Sequence, residues 1–194
     1  MRMLTLIPCL LLLAACGSSS PTHYYALATD NLPAQEQART GIMIGIGPIT
    51  LPDYLARTTI VQRNNNELTL SEFNLWAEPL TDATPRVLTS YLRSAMPNHR
   101  FIASPWGRYN IPDARMPVRI SRFEAVDGQV ELIAEWQLFD NNNTEILFRT
   151  EQFSAPINGT GFDAIAEAHN DALKQLAQAL GRDIAALNDQ PQHP

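Results

Sequence analysis

Cys16 is the residue of this chain whose type and setting most clearly predict chemistry. It follows Leu13-Ala14-Ala15 at the end of an apolar stretch, a pattern typical of a bacterial lipobox. Small residues before the cysteine let a peptidase approach the chain. The thiol then accepts a diacylglycerol, and the new N-terminus is acylated, typically with palmitate. The spacing therefore predicts covalent lipid at Cys16 and no other cofactor; an ordinary signal peptide with a chance cysteine is the alternative.

The residues on either side of the cysteine predict where the chain is delivered. Arg2 and an apolar stretch over residues 4–13 are typical of a signal peptide, since a helix needs about 20 apolar residues to cross a bilayer. We expect the signal peptide to cover residues 1–15 and a flexible, lipidated tether to cover residues 16–22. Because Gly17 rather than aspartate follows the cysteine, enterobacterial sorting rules predict a lipid anchor at the periplasmic face of the outer membrane.

Signatures of catalysis are weak in this sequence. None of the four histidines lies three or four residues from another, the spacing with which a helix presents two ligands to one metal, so we expect no metal site. His169 falls on the apolar side of a predicted helix and is interpreted as a core imidazole. No G-x-S-x-G elbow occurs, and the glycines of residues 41–47 fit a strand better than a phosphate loop. The sequence therefore predicts a protein that is not an enzyme.

The charged residues exclude one class of partner and predict fixed ion pairs. With 20 acidic and 14 basic residues the formal net charge is -6, which argues against nucleic-acid binding. All basic residues but one are arginines, whose planar guanidinium suits fixed pairs with carboxylates. A hydrolase would need a convergent pair of carboxylates in a cleft. The acidic residues of the predicted strands are instead expected at solvated positions: Glu124, Asp127, Glu131 and Glu135.

The 194 residues, 45% of them hydrophobic, suffice for one core. We expect a single domain over residues 23–188 and a disordered polar tail over residues 189–194. Runs of strands, each followed by a helix, predict an α+β fold with two main helices packed on one face of a mixed or antiparallel sheet. Gly45 and Gly47, in a predicted strand over residues 42–47, predict that another segment packs closely over this strand. Pro48 is expected to end the strand. Alternating, turn-flanked segments predict the strands, at residues 23–27, 42–47, 58–63, 67–71, 118–126, 130–140 and 145–154.

Two helices are predicted from apolar residues spaced three and four apart. The first covers residues 78–96 and contains Pro85. Either it starts near Asp82, with Pro85 in its tolerant first turn, or it starts at Pro79 and Pro85 kinks it. The second helix covers residues 162–187.

Two segments place apolar side chains where polar ones are usual. In residues 51–57 (the 51–57 loop), with the sequence Leu-Pro-Asp-Tyr-Leu-Ala-Arg, two leucines and a tyrosine occupy a connection between strands. Exposed, this loop would be a docking patch; the alternative is a loop that caps the core. In residues 73–80, Trp76 either anchors the first helix to the sheet, which we favour, or contacts a partner. The candidate partner-binding residues are Leu51, Pro52, Tyr54, Leu55, Arg57, Trp76, Glu78 and Arg86.

Several strings in the sequence resemble one known family. They are Tyr24-Tyr25-Ala26-Leu27, residues 44–57 with the pattern L-P-x-Y-L-x-R, Ile60-Val61-Gln62-Arg63, and Trp76-Ala77-Glu78-Pro79-Leu80 with Arg86-Val87-Leu88. Together they are similar to the ABC-type transport auxiliary lipoprotein family over essentially the whole mature domain. In the C-terminal half the match lies only in the order of strands and a final helix.

The resemblance implies a non-enzymatic outer-membrane lipoprotein that assists lipid transport between membranes and supports envelope integrity. It implies two partners, an MCE-domain protein that spans the periplasm and an inner-membrane component. It also implies a homo-oligomeric ring, whose cyclic closure uses two different surface patches on each copy. A periplasmic carrier that holds an acyl chain inside the domain is the alternative, and it needs an apolar cavity of several hundred Å³.

Overall fold

The computed structural model describes residues 20–28 and 41–188. The predicted signal peptide, Cys16 and the predicted tail over residues 189–194 lie outside the described residues. The helices and strands within the described part are β1 (His23–Tyr25), β2 (Met43–Thr50), β3 (Thr59–Asn64), β4 (Glu67–Trp76), α1 (Leu80–Ala95), β5 (Arg100–Ala103), β6 (Ala114–Val126), β7 (Gln129–Phe139), β8 (Glu145–Pro156) and α2 (Phe162–Asn188).

One eight-stranded sheet carries the fold, and β6 is the strand on which its parts converge. Along one edge β6 pairs in parallel with β2 and, near its C-terminal end, with β3. Along the other edge it pairs antiparallel with β7, which in turn pairs with β8. Beyond β3 the sheet continues through β4 to β1, and beyond β2 it continues to β5. The last three strands form the predicted antiparallel meander, and the α+β class with one mixed sheet is confirmed.

Both helices pack on one face of the sheet, as expected. α2 lies against β6, β7 and β8, α1 lies against β2 and β5, and the two helices contact each other. Alternate residues of β7 point to the helices, so that Val130, Leu132 and Ala134 are fully buried while the residues between them are not. The largest side chains of this core are Trp76, Trp136, Phe101 and Phe123, each at most 2% exposed.

β2 runs past the proline that was expected to end it. The strand continues through Pro48, because its pairing with β6 shifts register between Ile46 and Ile49 and a residue without an N–H is tolerated at such an irregularity. The close packing predicted over its glycines is confirmed, since a Cβ on Gly45 would lie 2.8 Å from the Trp106 ring.

The start of α1 decides between the two predicted alternatives. The helix begins at Leu80 directly after its N-cap Pro79, so Pro85 lies inside the helix and not in its first turn. β4 and β6 are several residues longer than predicted. β4 extends to Trp76 because its last residues pair with β1, and β6 begins at Ala114 because its first residues pair with β2. Pairing with a strand that is distant in sequence decides both strand boundaries.

Candidate partner-binding site

The loop between β2 and β3 is folded into two successive turns. The Leu55 N–H donates to the Pro52 carbonyl at 2.9 Å, and the Ala56 N–H donates to the Asp53 carbonyl at 3.2 Å. The Leu55 side chain is 1% exposed and belongs to the core, whereas Asp53, Ala56 and Arg57 are exposed. The loop therefore caps the core with one residue and presents others to solvent.

Tyr54 fastens this loop to a buried carboxylate. Its hydroxyl donates to Oε2 of Glu124 at 2.7 Å, and the Arg63 Nε–H donates to Oε1 at 2.5 Å. The Phe123 N–H donates to Oε2 at 3.1 Å. Tyr54, Arg63 and Glu124 form the Glu124 cluster, in which the 51–57 loop, β3 and β6 meet.

Glu124 is not the solvated residue that its strand position suggested. It is 0% exposed, and strand alternation places it on the face opposite to Phe123 and Ala125. A buried carboxylate retains its charge only where hydrogen bonds and an opposite charge replace the lost water. Tyr54 and Arg63 supply both, so the loop that covers Glu124 also satisfies it.

Arginine–glutamate pairs continue from the cluster along β6 and its neighbour β7. The Arg122 Nε lies 3.7 Å from Oε1 of Glu124, and its Nη1–H donates to Oε2 of Glu131 at 2.7 Å. Further along β6, Arg119 pairs with Glu135 at 2.7 Å. The fixed pairs predicted from the excess of arginine are confirmed on this part of the sheet.

The protonation states of Tyr54 and Arg63 follow from burial and from their bonds to Glu124. Burial raises the pKa of Tyr54 to about 12, and the neighbouring Glu124 carboxylate acts in the same direction. The hydrogen bond to Glu124 raises the pKa of Arg63. Tyr54 therefore remains a hydrogen-bond donor, and Arg63 a cation, throughout the neutral pH range.

Trp76, the second aromatic candidate, is a core residue. Its side chain is 2% exposed, and its ring meets the His169 ring edge-on with a centroid distance of 5.0 Å. The backbone N–H of Trp76 donates to the Thr58 carbonyl at 2.5 Å, which joins the end of β4 to the residue that follows the 51–57 loop. Because the Trp76 and Leu55 side chains are buried, neither offers a partner direct contact in this conformation.

His169 is the core imidazole that the sequence predicted. It is 1% exposed, its ring centroid lies 4.8 Å from that of Phe123, and its Nδ1 lies 2.8 Å from the Ile165 carbonyl oxygen. Burial lowers the pKa of His169 to about 4, so the ring is neutral at physiological pH and has a structural role.

The remaining candidates lie nearer the surface. Glu78 and Arg86 form an ion pair at the start of α1, and their side chains are 37% and 54% exposed. Leu51 and Pro52 are half-buried. The 51–57 loop and the start of α1 therefore place charged side chains at the surface. The side chains of Tyr54, Leu55 and Trp76 hold the backbone of these segments in position.

Other kinds of site find little support in the described part of the chain. Residues 20–28 and 41–188 contain no group of three or more His, Cys, Asp or Glu side chains placed to hold a metal ion. No helix in these two ranges is long and apolar enough to cross a membrane. A cleft of about 560 Å³ lies between β1 and α2, but it is lined by polar and charged side chains, among them Tyr24, Asp163, Glu167 and Lys174.

Comparison with known proteins places this fold among the lipoproteins that serve as auxiliary components of transport systems. Residues 25–181 match the family model described as the ABC-type transport auxiliary lipoprotein component. The chain belongs to this family, and the resemblance drawn from its sequence strings is confirmed.

Individual relatives cover nearly the same length. The intermembrane transport lipoprotein PqiC of Escherichia coli (strain K12) is 25% identical over 179 residues, which span 90% of this chain and 93% of the relative; PqiC of Shigella flexneri gives the same values. Among solved structures, protein XCC0632 from Xanthomonas campestris has a TM-score of 0.70 at 18% identity, over 87% of this chain and 98% of its own. The crystal structure of an uncharacterized protein has a TM-score of 0.69 at 23% identity, over 85% of this chain and 99% of its own. At these identities the solved structures show the fold alone.

Sequence reasoning missed the partner of Tyr54. Arg63 belonged to one of the strings that resemble the family, but it was given no role, and Glu124 was interpreted as solvated. The two meet because β3 pairs with β6 at Gln62 and Arg63, a contact between strands that are distant in sequence. The signal available was that Tyr54 and Arg63 each belong to one of the strings that resemble the family.

Proposed function

We propose that this transport auxiliary lipoprotein is held at the periplasmic face of the outer membrane by lipid on Cys16 and docks an MCE-domain protein of the PqiB type through its 51–57 loop. The docked protein spans the periplasm to its inner-membrane partner. Holding its tip at the outer membrane lets lipid cargo leave close to the bilayer, which supports envelope integrity. The role is non-enzymatic.

The observation that carries the proposal is how the 51–57 loop is held. Leu55 lies in the core and Tyr54 is bonded to Glu124, whereas Asp53 and Arg57 are exposed. A loop fixed before its partner arrives loses little conformational entropy on binding, so more of the contact energy appears as affinity. Arginine is also among the residues enriched at protein interfaces. These properties favour a protein-docking surface.

The carrier alternative has less support. An acyl chain needs an apolar cavity, and the space between the sheet and the helices is filled by a continuous core that includes Phe101, Trp136 and Leu176. The cleft between β1 and α2 is lined instead by groups such as Asp163 and Glu167, which suit water and polar ligands.

A ring of identical subunits is part of the proposal and rests on the family resemblance. A collar around a tube of several protomers needs cyclic symmetry, and a cyclic interface joins two different patches of each copy. Crosslinking that returns this protein joined to itself, in addition to the MCE-domain protein, is the result expected for such a collar.

The docking proposal is tested by site-specific photocrosslinking in cells. A photoreactive residue at position 57 is expected to capture an MCE-domain protein. The same residue in place of Asn65, which is exposed at the tip of the β3–β4 hairpin, is the matched control and should not capture it. Equal capture from both positions, or none from position 57, contradicts the proposed surface. Recovery of phospholipid alone supports the carrier.

The anchoring proposal is tested separately by Cys16→Ser. Without the thiol no lipid can be attached, so the variant should leave the outer-membrane fraction. A variant that still sediments with outer membranes contradicts the anchor.

A further inference from the structure

We infer that Glu124 is a positioning residue for partner binding: its buried carboxylate holds Tyr54 and thereby fixes the direction in which Asp53 and Arg57 face the solvent. The inference rests on the proposed docking function of the 51–57 loop and adds the residue that determines how the loop is presented. Glu124 itself touches no partner, because it is 0% exposed.

The two oxygens of the carboxylate have different tasks. Oε1 receives the Arg63 Nε–H at 2.5 Å, which joins Glu124 to β3. Oε2 receives the Tyr54 hydroxyl at 2.7 Å and the Phe123 N–H at 3.1 Å. Because the backbone amide and the guanidinium hold the carboxylate on both sides, the direction of the Tyr54 bond is determined by the sheet. The loop therefore takes its orientation from β6 and β3 rather than from its own two turns.

Capping the core does not require the charge of Glu124. The Leu55 side chain already caps the core at this loop and is 1% exposed. A buried ion pair generally stabilises a fold no better than apolar residues of the same size, because both charges must be removed from water. A directional, charge-assisted hydrogen bond does offer a defined geometry, which apolar contact at Leu55 alone does not. The hydrogen bonds of the Glu124 cluster are therefore suited to fixing the orientation of the 51–57 loop.

A second arginine limits movement of the carboxylate. Arg122 lies 3.7 Å from Oε1 of Glu124 and is itself bonded to Glu131 at 2.7 Å. The groups that face Glu124 are thus Tyr54, Arg63 and Arg122, from the loop, β3 and β6. Removal of the Tyr54 hydroxyl alone leaves the carboxylate with both cations and the Phe123 N–H. This change therefore takes away the bond that orients the loop, together with the contact between the hydroxyl and Arg63.

The test compares Tyr54→Phe with a matched control in the full-length lipidated protein, purified in detergent. Tyr25→Phe is the control, since its hydroxyl bonds to Asn74 at 3.2 Å outside the cluster. The Kd for a purified MCE-domain protein is measured together with amide hydrogen exchange across residues 53–57. Tyr54→Phe should weaken binding about three- to tenfold, as expected for one hydrogen bond, and should speed exchange within the loop. Tyr25→Phe should change neither quantity.

Glu124→Gln and Arg57→Glu complete the design. Glu124→Gln should accelerate exchange in the loop and weaken binding at least as much as Tyr54→Phe. If it does not fold, Tyr54→Phe still decides the question. Faster exchange in Tyr54→Phe with an unchanged Kd overturns the positioning role, and so does unchanged exchange.

Arg57→Glu separates this inference from the proposed function. It should weaken binding about tenfold or more with no change in loop exchange. If Arg57→Glu weakens binding and Tyr54→Phe does not, the docking surface stands and only the positioning role fails. If Arg57→Glu binds as tightly as the wild type, the docking surface itself is wrong.

Discussion

The 51–57 loop and the 73–80 segment are held against the sheet in two different ways. Trp76 is held by aromatic packing, with its ring edge-on to His169 at 5.0 Å, and its side chain is buried. Tyr54 packs partly against the core and is oriented by a directional bond to Glu124, while Asp53 and Arg57 remain at the surface. Packing on all sides fixes Trp76 by enclosing it, whereas the bond to Glu124 fixes Tyr54 in a loop that still presents Asp53 and Arg57 to solvent.

This difference separates stability from recognition. Changes in the 73–80 segment should act through the free energy of unfolding, and they should affect partner capture only when the domain unfolds. Changes at the Tyr54 hydroxyl or at the exposed Arg57 should affect capture while most of the folding free energy remains.

Trp76→Ala should lower the free energy of unfolding by about 3–5 kcal/mol, as expected for an aromatic side chain removed from a core. Chemical denaturation measures the loss. Tyr109→Ala is the matched control because this aromatic side chain is 94% exposed, and its effect should stay within about 0.5 kcal/mol. Equal effects from the two variants would show that Trp76 does not anchor the core.

Acid should destabilise the protein through His169. Burial lowers the pKa of this imidazole to about 4, so as the pH falls below about 6.5 the unfolded chain binds a proton that the folded chain does not. The free energy of unfolding therefore decreases as the pH falls from about 6.5 towards about 4, by up to about 1.4 kcal/mol per pH unit. The wild type should lose more stability than His169→Phe on acidification, measured by denaturation at each pH. Parallel losses in the two proteins contradict the assignment.

Tyr54→Phe should cost only about 1 kcal/mol of folding free energy, since one hydrogen bond is lost and the ring remains. Thermal unfolding is the measurement. A loss as large as that of Trp76→Ala would mean that the loop and the 73–80 segment do not differ in the way described.

Arg86→Ala should have the smallest effect on stability, below about 1 kcal/mol and weaker in high salt, because exposed ion pairs are screened by solvent. Its partner Glu78 is 37% exposed. Denaturation at low and high ionic strength measures the effect, and a larger, salt-independent loss would show that the pair belongs to the core.

Local patterns predicted the regular elements of the described residues except β5 (Arg100–Ala103), which no predicted strand covers. Alternation and spacing identified the meander, the two helices and the β3–β4 hairpin, where Asn65 adopts the positive φ of 54° that its turn position suggests. The family was recognised from short strings. These features depend on residues that are close in sequence, which is why they could be predicted.

The candidate site was only partly predictable. The composition of the 51–57 loop indicated something unusual but left docking and capping as alternatives, because both use leucine and tyrosine. Glu124 is buried by segments that are distant in sequence. It lies 70 residues from Tyr54 in the loop and 61 residues from Arg63 in β3. A carboxylate on an alternating strand carries no local sign of such a cover.

The most direct test of the docking surface compares two charge reversals of equal size. Arg57→Glu alters the exposed end of the 51–57 loop, and Arg182→Glu alters α2, where the arginine side chain is 66% exposed. Capture of the MCE-domain protein by each full-length lipidated variant is measured beside its melting temperature. Arg57→Glu should lose capture about tenfold while Arg182→Glu retains it, and both proteins should melt close to the wild type. Retained capture in Arg57→Glu, or equal loss in both variants, would contradict the docking surface.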